Sequence, residues 1–295
     1  MLTLDRVTKT FRTGTFSGSS VTAVDRVSFT VGRGEVVTLL GESGSGKSTL
    51  GRMILGLTPV TEGSLTLGGE PVRSGREYYR RVQGIFQDPF SCFNPVFKAD
   101  RVFALVKDAY YPRLSAADWR GRVERAVRDV RLDPGQVLNK YPHQLSGGQL
   151  QRLLIARALL LDGLEFLVAD EITSMLDAST RVDVLNLLGD LRERGLGVLY
   201  ITHDLALGTY LAEQTVVLRG GRITERGATE KVFGNPMHPY TRHLLAAVPR
   251  LGVEWADAEP VESCVFHDAG AEGELYEAEP DHFVACAQLT GCPGH

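Results

Sequence analysis

The sequence predicts an α/β protein built on a parallel sheet covered by helices on both faces. Three observations carry that prediction. A short apolar, β-prone run at residues 36–40 enters a glycine-rich turn that opens directly into a helical pattern. Further on, apolar strand-like runs at 166–169 and 197–202 alternate with stretches of helical periodicity. The runs at 36–40, 166–169 and 197–202 end in polar residues: Gly41 to Ser48, Asp170-Glu171, and His203-Asp204. Strands alternating with helices imply a parallel sheet, and ligands of such sheets gather at the carboxyl ends of the strands. One site can therefore collect all three groups.

Taken in order, residues 2–11 and 23–31 alternate loosely and are rich in Val, Phe and Thr, so both read as strands. Gly14, Ser17, Gly18, Ser19 and Ser20 mark a loop between them. Residues 35–40 form the strand into the glycine turn and 47–57 its helix, closed by Pro59 and Gly63. Residues 64–67 and 84–86 read as short strands. Between 95 and 145 Arg and acidic residues alternate with Val, Leu and Ala at helical spacing, which reads as a helical insertion. Ser146 with Gln149 three residues on is a capping-box pattern opening a helix to 161. Val184, Leu187, Leu188 and Leu191 lie on one face of a helix over 178–194, which Gly195 stops.

The turn itself, Gly41-Glu42-Ser43-Gly44-Ser45-Gly46-Lys47-Ser48-Thr49, has the form of a phosphate cradle. Gly41, Gly44 and Gly46 permit backbone angles that a Cβ would forbid, so successive N–H groups can turn toward phosphate oxygens. The following helix adds its unpaired amides and the positive end of its dipole. Lys47 can reach the β- and γ-phosphates and the Ser48 hydroxyl can ligate magnesium. Asp170, after four apolar residues, suits a buried carboxylate orienting a water on that ion, and Glu171 is the candidate to polarise an attacking water. His203 can donate to the γ-phosphate, and Gln87 can reach the metal or the water from the other side. Taken singly, each of these has a plain structural reading as a polar strand terminus; their order after the cradle is what joins them.

Composition narrows the class. Of 295 residues, 43% are apolar and 23% charged, which is globular. No run of 18 apolar residues occurs, and the N-terminus lacks the basic-then-apolar layout of a signal peptide, so a cytoplasmic location is expected. Ten of the 36 acids and none of the 32 bases lie after residue 251, which reads as a solvated acidic tail. The remaining body, slightly basic, gives no reason to invoke nucleic acid.

Leu145-Ser146-Gly147-Gly148-Gln149 resembles the signature of the ATP-binding cassette family, and the other family elements stand in order around it. They are Walker A at 41–48, Gln87, Walker B at 166–170 with Glu171, the D-loop Ser174-Met175-Leu176-Asp177, and His203. The resemblance covers about residues 1–250 and implies a P-loop, RecA-like core with an N-terminal antiparallel β subdomain and an inserted helical subdomain. It also implies two cassettes head to tail, with ATP and Mg2+ between the Walker A of one and the Ser146, Gly147, Gly148 and Gln149 of the other. Phe11 matches the aromatic position that stacks on adenine in relatives; a core residue is the alternative, and Phe16 a weaker candidate. Ile172 and Met175 replace the usual proline and alanine without removing a reacting group.

Asn235-Pro236-Met237-His238-Pro239-Tyr240-Thr241-Arg242, followed by a helix from Leu244, resembles the C-terminal segment of cassettes serving oligopeptide, dipeptide and nickel importers, a group that includes oligosaccharide systems. On that resemblance residues 1–233 form the nucleotide-binding domain and 234–295 an extension. The implied partners are a second, non-identical cassette, two permeases and an extracytoplasmic solute-binding protein, placing the chain peripherally on the cytoplasmic membrane face. A soluble cassette acting as a nucleotide switch is the alternative, without the fused cassettes or long basic arms such proteins carry. Some relatives hold an iron–sulfur cluster on four C-terminal cysteines. Here only Cys264, Cys286 and Cys292 lie in that region, so free thiols are expected rather than a cluster completed by His267 or His282.

Overall fold

The computed structural model describes residues 1–13, 19–246 and 275–285. Two sheets and their covering helices make up the fold. The first is antiparallel, in the order β2-β1-β4-β5, from β1 (Leu2–Thr13), β2 (Ser19–Val31), β4 (Glu62–Leu67) and β5 (Glu70–Pro71). Ser19 and Ser20, expected in the loop, extend β2 by pairing with Thr13 and Arg12.

The second sheet has eight strands. Its parallel part comprises β3 (Val36–Leu40), β6 (Val82–Ile85), β7 (Phe166–Asp170), β8 (Gly197–Ile201) and β9 (Gln214–Arg219), in the order β9-β3-β8-β7-β6. Onto β9 an antiparallel margin is added, β10 (Arg222–Ala228), β12 (His282–Val284) and β11 (Tyr276–Glu279). All five residues of β3 are buried, as expected of a central parallel strand that faces packed layers on both sides.

Among the described residues ten α-helices follow in chain order: α1 (Lys47–Ile54), α2 (Arg76–Arg81), α3 (Arg101–Tyr110), α4 (Ala116–Asp129), α5 (Pro134–Val137), α6 (Gly147–Leu159), α7 (Ala178–Glu193), α8 (Leu205–Leu211), α9 (Thr229–Gly234) and α10 (Pro239–Ala246). Their caps follow the residues present. Ser115, Ser146, Asp177 and Asp204 each accept a hydrogen bond from an N-terminal amide of their helix. Pro239 occupies the first turn of α10, where its missing N–H costs nothing.

Two large cores divide the work. One buries Leu2, Phe29, Leu39, Leu50 and Val168 between the antiparallel sheet, α1 and the main sheet. The other joins the opposite face of the main sheet to α3, α4, α6 and α7 through Phe103, Val127, Leu153, Leu187 and Tyr200. A small third core gathers Leu40, Leu205, Val217, Val232 and Tyr240.

The structure departs from the sequence reading at the margins. The helix after the glycine turn stops at Ile54, β4 begins two residues early, and the strand expected at 84–86 is Val82–Ile85 with Phe86 exposed. The helix expected from Leu244 begins at Pro239. Strands β9 and β10 were not anticipated, although Gly220-Gly221 between two β-prone runs is a hairpin signal. The acidic tail is not simply solvated: β12 pairs with β10, placing His282 and Val284 in the interior. Gly227 permits this pairing, since a Cβ there would meet the Asp281 carbonyl at 2.4 Å.

Candidate functional site

The glycine turn follows β3 and passes straight into α1. Gly41, Gly44 and Gly46 all have positive φ, at 149°, 81° and 104°. Two of them are also sterically obligatory. A Cβ at Gly41 would lie 2.1 Å from the Leu218 carbonyl and one at Gly46 2.3 Å from the Ala23 carbonyl, whereas space around Gly44 is open. The loop is thus wedged between its neighbours at both ends and free at its crown, with Ser43 and Gly44 exposed.

Lys47 is only 5% exposed and points back into the loop. Its Nζ donates to the carbonyls of Gly41 at 2.6 Å and Glu42 at 2.7 Å. Burial lowers the pKa of this amine, and the nearby Glu171, Asp170 and Glu42 partly oppose the shift. An ammonium has three donors, so one remains for a ligand. Ser45 carries a buried hydroxyl with no protein partner, while Thr49 is half-buried one residue beyond Ser48 in α1.

The neighbouring strand ends converge on this loop. The Ser48 hydroxyl donates to Asp170 Oδ1 at 3.4 Å, joining α1 to the end of β7. Burial raises the pKa of Asp170, a tendency that the Ser48 hydrogen bond and Lys47 counter. Glu171 has φ of 50°, an unusual left-handed conformation for a residue with a side chain. It is held there by its N–H, which donates to the Ile201 carbonyl at 2.8 Å, and by its carbonyl, which accepts from the Ser174 amide at 3.1 Å and hydroxyl at 2.9 Å. Its Oε1 lies 3.1 Å from His203 Nδ1, tying the end of β7 to the end of β8. Strained backbone of this kind persists where surrounding bonds over-determine it, and it concentrates at functional sites.

Gln87 sits two residues beyond Ile85, which pairs with Ala169, so it leaves the sheet at the same edge as Asp170 and is exposed. Phe11 is 42% exposed on β1, with Lys9 Nζ 5.1 Å from its ring centre, and is therefore not the core residue of the alternative reading. Phe16 lies outside the described residues.

Ser146, Gly147, Gly148 and Gln149 begin α6, which packs against α3, α4, α7 and β6, whereas α1 packs against β2, β7 and β8. The Ser146 hydroxyl accepts from the Gln149 amide at 3.2 Å and the Gln149 side chain accepts from the Ser146 amide at 2.9 Å. This is the predicted capping box, with an exposed serine and with Gly148 pressed so closely on Thr180 that a Cβ would lie 2.2 Å from its methyl.

Cys264, Cys286, Cys292 and His267 lie outside the described residues. His282 is fully buried, with Nε2 2.7 Å from Glu225 Oε1. Among the described residues no cluster of three His, Cys, Asp or Glu side chains is gathered for a metal ion. No motif pointed to Glu225 or to the contact between Tyr240 and the loop, because both depend on segments far apart in the chain.

A glycine cradle ahead of a helix, with an acid pair and a histidine at adjacent parallel strand ends, defines a P-loop nucleoside triphosphatase. The chain belongs to the ATP-binding cassette (ABC) transporter family, whose description matches residues 24–174, and residues 224–269 match the oligopeptide/dipeptide transporter C-terminal region. It is 40% identical to a putative peptide import ATP-binding protein of Brucella ovis over 89% of this chain and 90% of that one. It is 36% identical to the oligopeptide transport ATP-binding protein OppF of Bacillus subtilis, over 91% of each chain. Among solved structures it is similar to the ATP-binding cassette MJ0796, a dimer in a post-hydrolysis state bound to ADP and phosphate. That match has a TM-score of 0.68 and 29% identity over 78% of this chain and 99% of the other. The chain is accordingly the ATP-hydrolysing subunit of an ABC importer. Among the described residues no helix is long and apolar enough to cross a membrane.

Proposed function

We propose that this cassette hydrolyses ATP at the Lys47 loop to power uptake of oligopeptides through two permeases, working with a second cassette and an extracytoplasmic solute-binding protein. The observation that carries the reading is the convergence of three strand ends on one loop, through Ser48 with Asp170 and Glu171 with His203. In this reading residues 1–233 are the nucleotide-binding domain, with its helical insertion at about 95–145, and residues 234–295 are the extension. The chain sits on the cytoplasmic face of the membrane.

The amides of Ser43, Gly44, Ser45, Gly46, Lys47, Ser48 and Thr49 receive the phosphates, and the spare Lys47 donor neutralises the β- and γ-oxygens. Phe11 stacks on adenine from the rim. Ser48, Asp170 and Gln87 would hold magnesium, and the 3.4 Å approach of Ser48 to Asp170 is a donor pair suited to a hard cation. When bound, a magnesium ion held there would supply positive charge against that of the phosphates. Glu171 accepts the proton side of the attacking water, and His203, held against it, donates to the γ-phosphate. Cleavage of this kind needs little covalent work from the protein beyond positioning and charge neutralisation. Ser146, Gly147 and Gly148 serve the pocket of the partner cassette.

Reconstitution in vesicles tests the whole reading. With the partner cassette, both permeases and the solute-binding protein present, ATP should drive accumulation of a labelled oligopeptide, and Lys47→Ala should reduce it to background. Uptake that survives that substitution, or an assembly that moves no peptide, would overturn it.

A further inference from the structure

We propose that Tyr240, from the C-terminal extension, is a positioning residue of the phosphate loop. The inference rests on the reading of that loop as the ATP site. The Tyr240 hydroxyl accepts a hydrogen bond from the Glu42 amide at 3.0 Å, across 198 residues of chain. Its ring is 2% exposed and packs with Leu40, the last residue of β3 before the loop begins. Arg219 covers the ring from 5.1 Å.

What the bond controls follows from peptide geometry. The Glu42 N–H and the Gly41 carbonyl belong to one planar trans peptide, so they point in opposite directions. Tyr240 holds the outer end of that unit while Lys47 Nζ holds the inner end through the Gly41 carbonyl at 2.6 Å. Gly41, with φ of 149°, offers little intrinsic resistance to reorienting the peptide. Fixing the N–H from outside therefore fixes the carbonyl that aims Lys47. The Glu42 carbonyl, which accepts from both Lys47 and the Ser45 amide, is steadied by the same anchor.

Tyr240 is itself held by a buried clasp. Glu225 of β10 is fully buried, and its carboxylate accepts from the Met237 amide at 2.9 Å and the His238 amide at 3.0 Å. The third partner of that carboxylate is His282, 2.7 Å away. His238 Nδ1 in turn accepts from the Tyr240 amide at 3.0 Å, capping α10 in the way a short polar side chain caps other helices. The clasp thus delivers the phenol to one amide of the loop. Preorganising a binding loop lowers the ordering cost at the moment of association, so affinity is the quantity it should change.

Steady-state ATP hydrolysis by the assembled transporter, with Tyr240→Phe in this chain, tests the assignment. Phenylalanine keeps the ring and removes only the acceptor. KM for ATP should rise about three- to tenfold, the effect of one hydrogen bond, with kcat within about twofold of the parent. The nucleotide-free melting temperature should fall by a few degrees at most, the loss of one hydrogen bond. An unaltered KM, or a fall in kcat as large as the rise in KM, would overturn the assignment. Lys47→Ala, run beside it at the same site, separates the two layers. If that variant is inactive and Tyr240→Phe matches the parent, only the role of Tyr240 fails; if Lys47→Ala still turns over normally, the reading of the loop fails and this inference with it.

Discussion

The Lys47 loop and the start of α6 are both glycine-rich helix N-termini, yet they are finished in different ways. Around the loop the chain supplies its own completion: Lys47 is buried, Ser48 meets Asp170, and Glu171 meets His203. At α6 the Ser146 hydroxyl accepts from the Gln149 amide and the Gln149 side chain accepts from the Ser146 amide, and the serine is exposed. In the proposed function one N-terminus receives a ligand brought to this chain, and the other, locally satisfied, serves a ligand held by the partner cassette. The difference teaches that two helix ends with similar composition are told apart by what the rest of the fold places opposite them.

That contrast can be broken by substitution. The largest effect is expected at the self-completed end. Glu171→Gln should leave ATP binding intact and lower turnover by about two orders of magnitude or more, the loss expected of a general base, and a normal rate would remove Glu171 from its assigned role. Ser146→Arg should abolish ATP-driven closure at the partner's pocket, read by crosslinking or small-angle scattering of the cassette pair, while ATP binding to this chain alone is retained. Lost binding to the isolated chain would erase the distinction between the two ends. Smallest is the change at the rim: Phe11→Ala should weaken ATP binding by roughly three- to tenfold, in line with the loss of one aromatic stacking contact, with little change in kcat. An unchanged affinity would leave Phe11 an ordinary exposed ring.

Much of the parallel sheet was legible because its period and its punctuation are local. The run before Gly41 is apolar but for Thr38 because β3 is buried on both faces, and Gly195 follows α7 because a helix end needs a residue tolerant of positive φ, here 90°. The capping box at Ser146 was legible for the same reason, since its two partners are three residues apart. The hairpin at 276–284 was hidden in an acidic stretch, since its inward residues are set by pairing with β10 rather than by any alternation strong enough to stand alone.

By itself, then, the order of residues determined that a phosphate cradle stands between strand and helix, which residues could serve it, and the family the chain belongs to, because those properties reside in spacing along a few adjacent residues. Only the tertiary structure decided that Glu225 draws together β10, the segment before α10 and His282, and that Tyr240 reaches Glu42. Hydrogen bonds between residues tens to hundreds of positions apart leave no periodic trace in a sequence; they exist only once burial has brought the donors and acceptors to the same few ångströms and removed the water that would otherwise satisfy them.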